Sequence, residues 1–259
     1  MPGEFQIPLT AVISFTLVLA RVSGAVTFVP IPGIKDAPPL ARIVLMLSLT
    51  AVLFPVWPSV PVSQANAGAF ALWLLAEAGL GATIGLAVAF LNEAFILASQ
   101  VFGLQAGYGY ASTVDPATQA DSSVLQILTH LVAGLLFFSF GLHREVIRVF
   151  ADSLQVYPPG GFALSNSAAH RILDLGADMF STAVRLALPV VALLMMIDVS
   201  LALLGRINAQ MQLLMLAFPA KMLVSMAVLA AIVALMPQLY GPAAAATLQS
   251  LRSVLTASN

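Results

Sequence analysis

The chain is cut into long stretches that hold no charge. No Asp, Glu, Lys or Arg occurs from Phe5 to Ala20, from Ile43 to Ala76, from Ala94 to Val114, from Ser122 to His143, from Leu186 to Ile197 or from Met222 to Leu251. A bilayer core takes roughly 20 mostly apolar residues per helical crossing, and several of these runs reach that length. Only 8% of the 259 residues are charged and 60% are hydrophobic. A soluble domain carries about 25% charged residues, so this chain lacks the polar material to cover a surface facing water. The class is an all-α, polytopic membrane protein.

Charge and residue usage exclude several functions. The net charge is −1 with no basic run, so nucleic acid is not an expected partner, because phosphate binding needs clustered Lys and Arg. There is no cysteine, hence no disulfide framework, thiolate metal site or cysteine nucleophile. His130, His143 and His170 are not in metal-ligand spacing, and neither an HExxH nor a GxSxG motif is present. No metal, cofactor or catalytic residue is expected. Glu4 stands in an N-terminus without a basic residue, so the first apolar stretch reads as a retained helix and not as a signal peptide.

The apolar periodicity predicts about six long, partly broken helices in one integral membrane domain, 1–259. They run from about Ile7 to Val29, Leu40 to Phe54, Phe70 to Gln105, Val124 to Phe150, Leu173 to Leu204 and Gln212 to Leu239. The third exceeds one crossing in length, so it reads as bent, or as two helices. Gly241-Pro242 is expected to end the sixth, with a short tail helix over 243–259 whose Leu248, Leu251 and Leu255 share a face. The segment Gly107–Ser123, which carries Tyr108, Gly109, Tyr110, Val114, Asp115 and Pro116, is too long for a hairpin turn. Loops of that length are commonly functional.

Glu77, Gly81 and Gly85 fall four residues apart and share one helix face. Gly81-x-x-x-Gly85 is a small-xxx-small pattern that admits a second helix backbone, and Gly103-x-x-x-Gly107 repeats it. A carboxylate on such a face points at protein. It reads either as a proton or ion site or, preferably, as a helix contact with a buried partner. Asp198, Arg206 and Lys221 also lie in or beside apolar segments. Asp198 and Arg206 are about 80° apart around an ideal helix, near one another without touching. Salt bridges between helices or subunits are the favoured reading for them.

Three stretches carry a resemblance. They are RVSGAVTFVPIPGIKDAPPLARIVLMLSLTAVLFPVWPSVP (Arg21–Pro61), then GLGATIGLAVAF followed by VFGLQAGYGYASTVDP (ending at Pro116), then LPVVALLMMIDVSLALLGRINAQMQLLMLAFPAK (Leu188–Lys221). In order and spacing they resemble the FliR family of type III secretion export-gate subunits. Gln210 and Pro219 sit in the third motif. Ala202, Ala209 and Ala217 depart from the family's usual glycine, proline and glycine. The resemblance implies a multi-pass protein of the bacterial inner membrane at the flagellar basal body. It implies a helical assembly with FliP and FliQ type subunits and other export-apparatus membrane proteins, and a channel passing unfolded flagellar proteins across the lipid bilayer. It also implies that Gly107–Ser123 is the channel plug loop. The equivalent injectisome subunit and a small-solute secondary transporter are the alternatives.

Overall fold

A computed structural model describes residues 8–30, 38–57, 66–107, 124–158, 166–207 and 213–257. These residues form seven α-helices: α1 (Leu9–Phe28), α2 (Pro39–Val52), α3 (Ala67–Ala106), α4 (Val124–Ser139), α5 (Leu142–Val156), α6 (Asn166–Ile207) and α7 (Leu213–Ala257). A single 3-10 turn, Phe54–Val56, follows α2, and no strand occurs among the described residues. A helix satisfies its own backbone, which a segment in hydrocarbon must do.

Three boundaries differ from the sequence reading. The third helix is unbroken for 40 residues, about 60 Å at 1.5 Å per residue. No proline interrupts it, so nothing removes a backbone bond along its length. The expected fourth helix is two, α4 and α5, bent by 63°. The break falls at Gly141, whose φ of 69° is left-handed, a conformation that glycine adopts without strain. In the other direction, 243–259 is not a separate tail helix, because α7 carries through Pro237, Gly241 and Pro242 as far as Ala257. Each proline deletes one backbone donor, and in apolar surroundings no water competes for the carbonyls it frees.

Among the described residues, four helices have the length and apolarity to cross a bilayer: Leu9–Phe28, Ala67–Ala106, Ile172–Arg206 and Pro219–Ser253. The elbow Leu125–Ser139 plus Leu142–Val156 makes a fifth if it counts as one broken span. At 14 residues α2 is too short. Large apolar side chains stand exposed along the long helices, among them Leu75, Leu104, Met196 and Leu223, each 70% or more exposed. Extended apolar surface of this kind marks contact with lipid or with other protein.

The described residues pack as two compact units. The first draws on Met1–Phe90, Phe137–Leu175 and Ala244–Asn259, and the second on Leu91–Leu136 and Gly176–Ala243. In the first unit α1 packs on α2, and Leu17, Val18, Leu80, Ile84 and Phe137 are in its core. Trp57 closes the end of α2. Its Nε1 donates to the Thr50 carbonyl at 3.0 Å, and its ring meets Phe15 and Phe54. The second unit holds a cluster of Phe102, Ala106, Leu125, Val190, Leu194 and Leu229. Beside it Ala98, Ala183 and Ala187 let helices approach closely.

Candidate functional site

The first unit is organised around a seam where α1 and α3 nearly touch backbone to backbone. A Cβ added to Gly81 would fall inside the carbonyl oxygen of Arg21, and one on Gly24 inside that of Ala78. At Gly85 the added atom would stand 2.5 Å from the Ala25 oxygen. Only glycine permits this spacing, and the contact energy is the dispersion gained between closely apposed backbones.

The seam brings together two charges 56 residues apart in sequence. Arg21 Nε donates to Glu77 Oε2 at 2.6 Å, and neither side chain reaches solvent. One terminal nitrogen of Arg21 donates to Ser153 Oγ at 3.0 Å, and the other to the Tyr157 carbonyl at 2.8 Å. Ser153 in turn donates to the Phe150 carbonyl. The guanidinium fork thus ties α1 to α3 and to the end of α5. A buried pair holds only when its remaining donors are also satisfied, and here each guanidinium nitrogen has a partner. Glu77 Oε1 is buried with no hydrogen-bond partner among the described residues.

The second unit has its own polar ties. Lys221 Nζ pairs with Asp198, and Gln105 Nε2 donates to Asp198 Oδ2 at 3.1 Å. This joins α3, α6 and α7 near the end of α3. Deeper in the unit, Tyr240 donates its hydroxyl to Asn92 Oδ1 at 2.5 Å, and its ring lies 5.4 Å from Phe95.

The structure therefore brings Glu77, Gly81 and Gly85 to one face against α1, and brings Asp198 to Lys221. It does not bring Arg206 to Asp198; Arg206 is exposed at the end of α6. Gly103 is buried in α3, and Gly107 ends that helix with φ 89°. Pro219 is exposed inside α7. Tyr108, Gly109, Tyr110, Val114, Asp115, Pro116 and Gln210 lie outside the described residues. Sequence reasoning missed Arg21 as the partner of Glu77, although an arginine inside an apolar helix signals that a carboxylate must be near. It also missed Gly24, Ser153, Gln105 and the Asn92–Tyr240 bond, for which spacing gives no signal.

Long apolar helices sealed by glycine seams and internally matched charges define a polytopic membrane protein built for tight helix packing. The chain belongs to the bacterial export proteins, family 1, the FliR family: the family model matches residues 12–246. The flagellar biosynthetic protein FliR of Escherichia coli (strain K12) is 30% identical over 219 residues, covering 84% of this chain and 83% of that protein. Its counterpart in Bacillus subtilis (strain 168) is 25% identical over 218 residues, 82% of this chain and 83% of the relative. In Aquifex aeolicus (strain VF5) the figures are 25% over 208 residues and 80% of each chain.

Proposed function

We propose that this chain is a core subunit of the flagellar type III protein export gate. It helps form the channel that passes unfolded flagellar proteins across the bacterial inner membrane, and it acts without catalysing a reaction. The observation that carries the reading is the family match along nearly the whole chain, 12–246, supported by relatives named flagellar biosynthetic protein FliR. The exposed apolar faces of α3, α6 and α7 suit a subunit whose neighbours are FliP and FliQ type proteins together with lipid. In this reading the chain acts as one integral membrane domain, which the unbroken family match over 12–246 supports.

Within that role Arg21, Glu77, Gly81 and Gly85 are packing residues, and Asp198, Lys221, Gly103, Gln210, Pro219 and Arg206 serve packing or subunit contact. Gly107–Ser123, with its glycines and small polar residues, is the plug loop. Deleting it should leave the assembled gate intact by size and composition but make cells leak ions, read as collapse of the membrane potential in a dye assay. A tight and fully active deletion contradicts the plug role. For the function itself, disrupting the gene in the source bacterium should remove hook and filament proteins from the medium while general secretion continues. Unchanged export of those proteins would overturn the reading.

A further inference from the structure

A cavity of about 280 Å³ opens in the first unit between α1, α2 and the α4–α5 elbow. Its walls are apolar, with Val26, Leu49, Phe137, Val146 and Phe150 among them, and His143 is its one polar side chain. His143 Nδ1 is buried and has no hydrogen-bond partner among the described residues. Phe138 and Ile147, 43% and 38% exposed, also line the cavity and stand at its opening. Water is a poor occupant, because it needs two to four polar partners and finds one. An empty void of this size forfeits the dispersion contacts of all its walls.

We propose that this cavity takes one acyl chain of an anionic phospholipid. The volume has room for a tail of roughly ten carbons if each methylene takes a water's share of liquid volume. The ester end of such a chain offers only acceptors, which suits His143 Nδ1 in the tautomer that carries its proton there. The charge beside the opening fits the phosphate. On α5, Arg144 and Arg148 follow His143 and Ile147 by one residue each, so a cationic stripe runs alongside the stripe that lines the cavity. Arg148 and Arg252 share the carboxylate of Glu145, Asp152 lies one turn after Arg148 on the same face, and Arg144 is exposed, so three arginines face two carboxylates and the face keeps a small positive excess. Arginines at a membrane surface attract anionic headgroups. A partner protein's apolar side chain would fill the cavity but leave both the imidazole nitrogen and the excess positive charge unmatched. The proposal rests on the membrane-embedded fold and not on the export role, so a chain that joins no gate complex can still satisfy it.

The test uses the full chain in vesicles containing either phosphatidylglycerol or phosphatidylcholine that bears a photoreactive diazirine in its acyl chain, with labelled peptides mapped by mass spectrometry. Phosphatidylglycerol should label Val146 and Phe150 deep in the cavity. Ile147→Trp should reduce that labelling by about tenfold or more without lowering the thermal midpoint, and Val26→Leu is the milder plug if the tryptophan variant fails to fold. The pair Arg144→Gln and Arg148→Gln should weaken labelling by phosphatidylglycerol and leave phosphatidylcholine unchanged. Label confined to exposed positions such as Leu40 and Val44, equal labelling by both lipids, or loss of the deep label when companion membrane subunits bind would each overturn the proposal. The last result would make the cavity a socket for a protein partner.

Discussion

Arg21 and Glu77 carry opposite charges in a place with no solvent, and each is tolerable only because the other is there. Removing one partner leaves an uncompensated buried charge, which costs roughly 3–5 kcal/mol, whereas replacing both with apolar residues of similar volume is often neutral. Glu77→Ala should therefore lower the thermal midpoint sharply, and the pair Arg21→Met with Glu77→Leu should recover most of the loss. A double variant as unstable as the single one would mean that the ties to Ser153 and Tyr157, and not the ion pair, hold the seam. The glycines make a matched comparison. Gly81→Ala drives a Cβ into the Arg21 carbonyl, while nothing lies within 4 Å of the corresponding atom at Gly79. Overpacking costs about 1–3 kcal/mol, so Gly81→Ala should depress accumulation of folded protein in the membrane and Gly79→Ala should not. The face bearing Glu77, Gly81 and Gly85 is legible from four-residue spacing alone. The residue opposite it is not, because periodicity describes one helix and says nothing about the register of a second helix 56 residues away.

At the scale of elements, the helices were readable as apolar runs and misread at their ends. The elbow between α4 and α5 sits inside a charge-free stretch, where neither charge nor periodicity marks a break, and one glycine in a left-handed conformation decides it. Gly141→Val should strain the elbow by about 1–2 kcal/mol even though no atom lies near the added Cβ. Asparagine, which tolerates that conformation, should be accepted. Distances between spin labels on α4 and α5 would read the difference, and an unchanged distance and stability in Gly141→Val would refute it. Proline misled in the opposite sense. In water Gly241-Pro242 ends a helix, but in α7 the apolar surroundings leave the chain no better use for its carbonyls than to continue. Helix α5 differs from the rest. It buries Leu142, Val146, Val149, Phe150, Ser153 and Leu154 on one face and holds its charges on the other, the pattern of a helix at a boundary between phases.

For the whole molecule, four or five possible crossings stand among the described residues where about six long segments were expected, since one segment is too short and another is bent. Because the sequence has no cysteine, single cysteines can be placed and labelled from each side without first removing a native one. The long helices, at about 60 Å or more by rise, exceed the roughly 30 Å of a hydrocarbon core. Tilt takes up some of that excess, and apolar surface left outside the hydrocarbon is better covered by other protein than by water, which is the physical reason to look for partners. The family was legible because its motifs are local strings of residues, whereas the order of neighbours around the chain is written in faces that only the complete assembly closes. The most direct measurement is co-expression of this chain with the FliP and FliQ type proteins of the same organism, followed by purification through a tag on this chain alone. One stable complex containing all three, stoichiometric and resistant to dilution in mild detergent, is the expected result. Recovery of this chain by itself, folded and monodisperse while the other two are expressed, would contradict it.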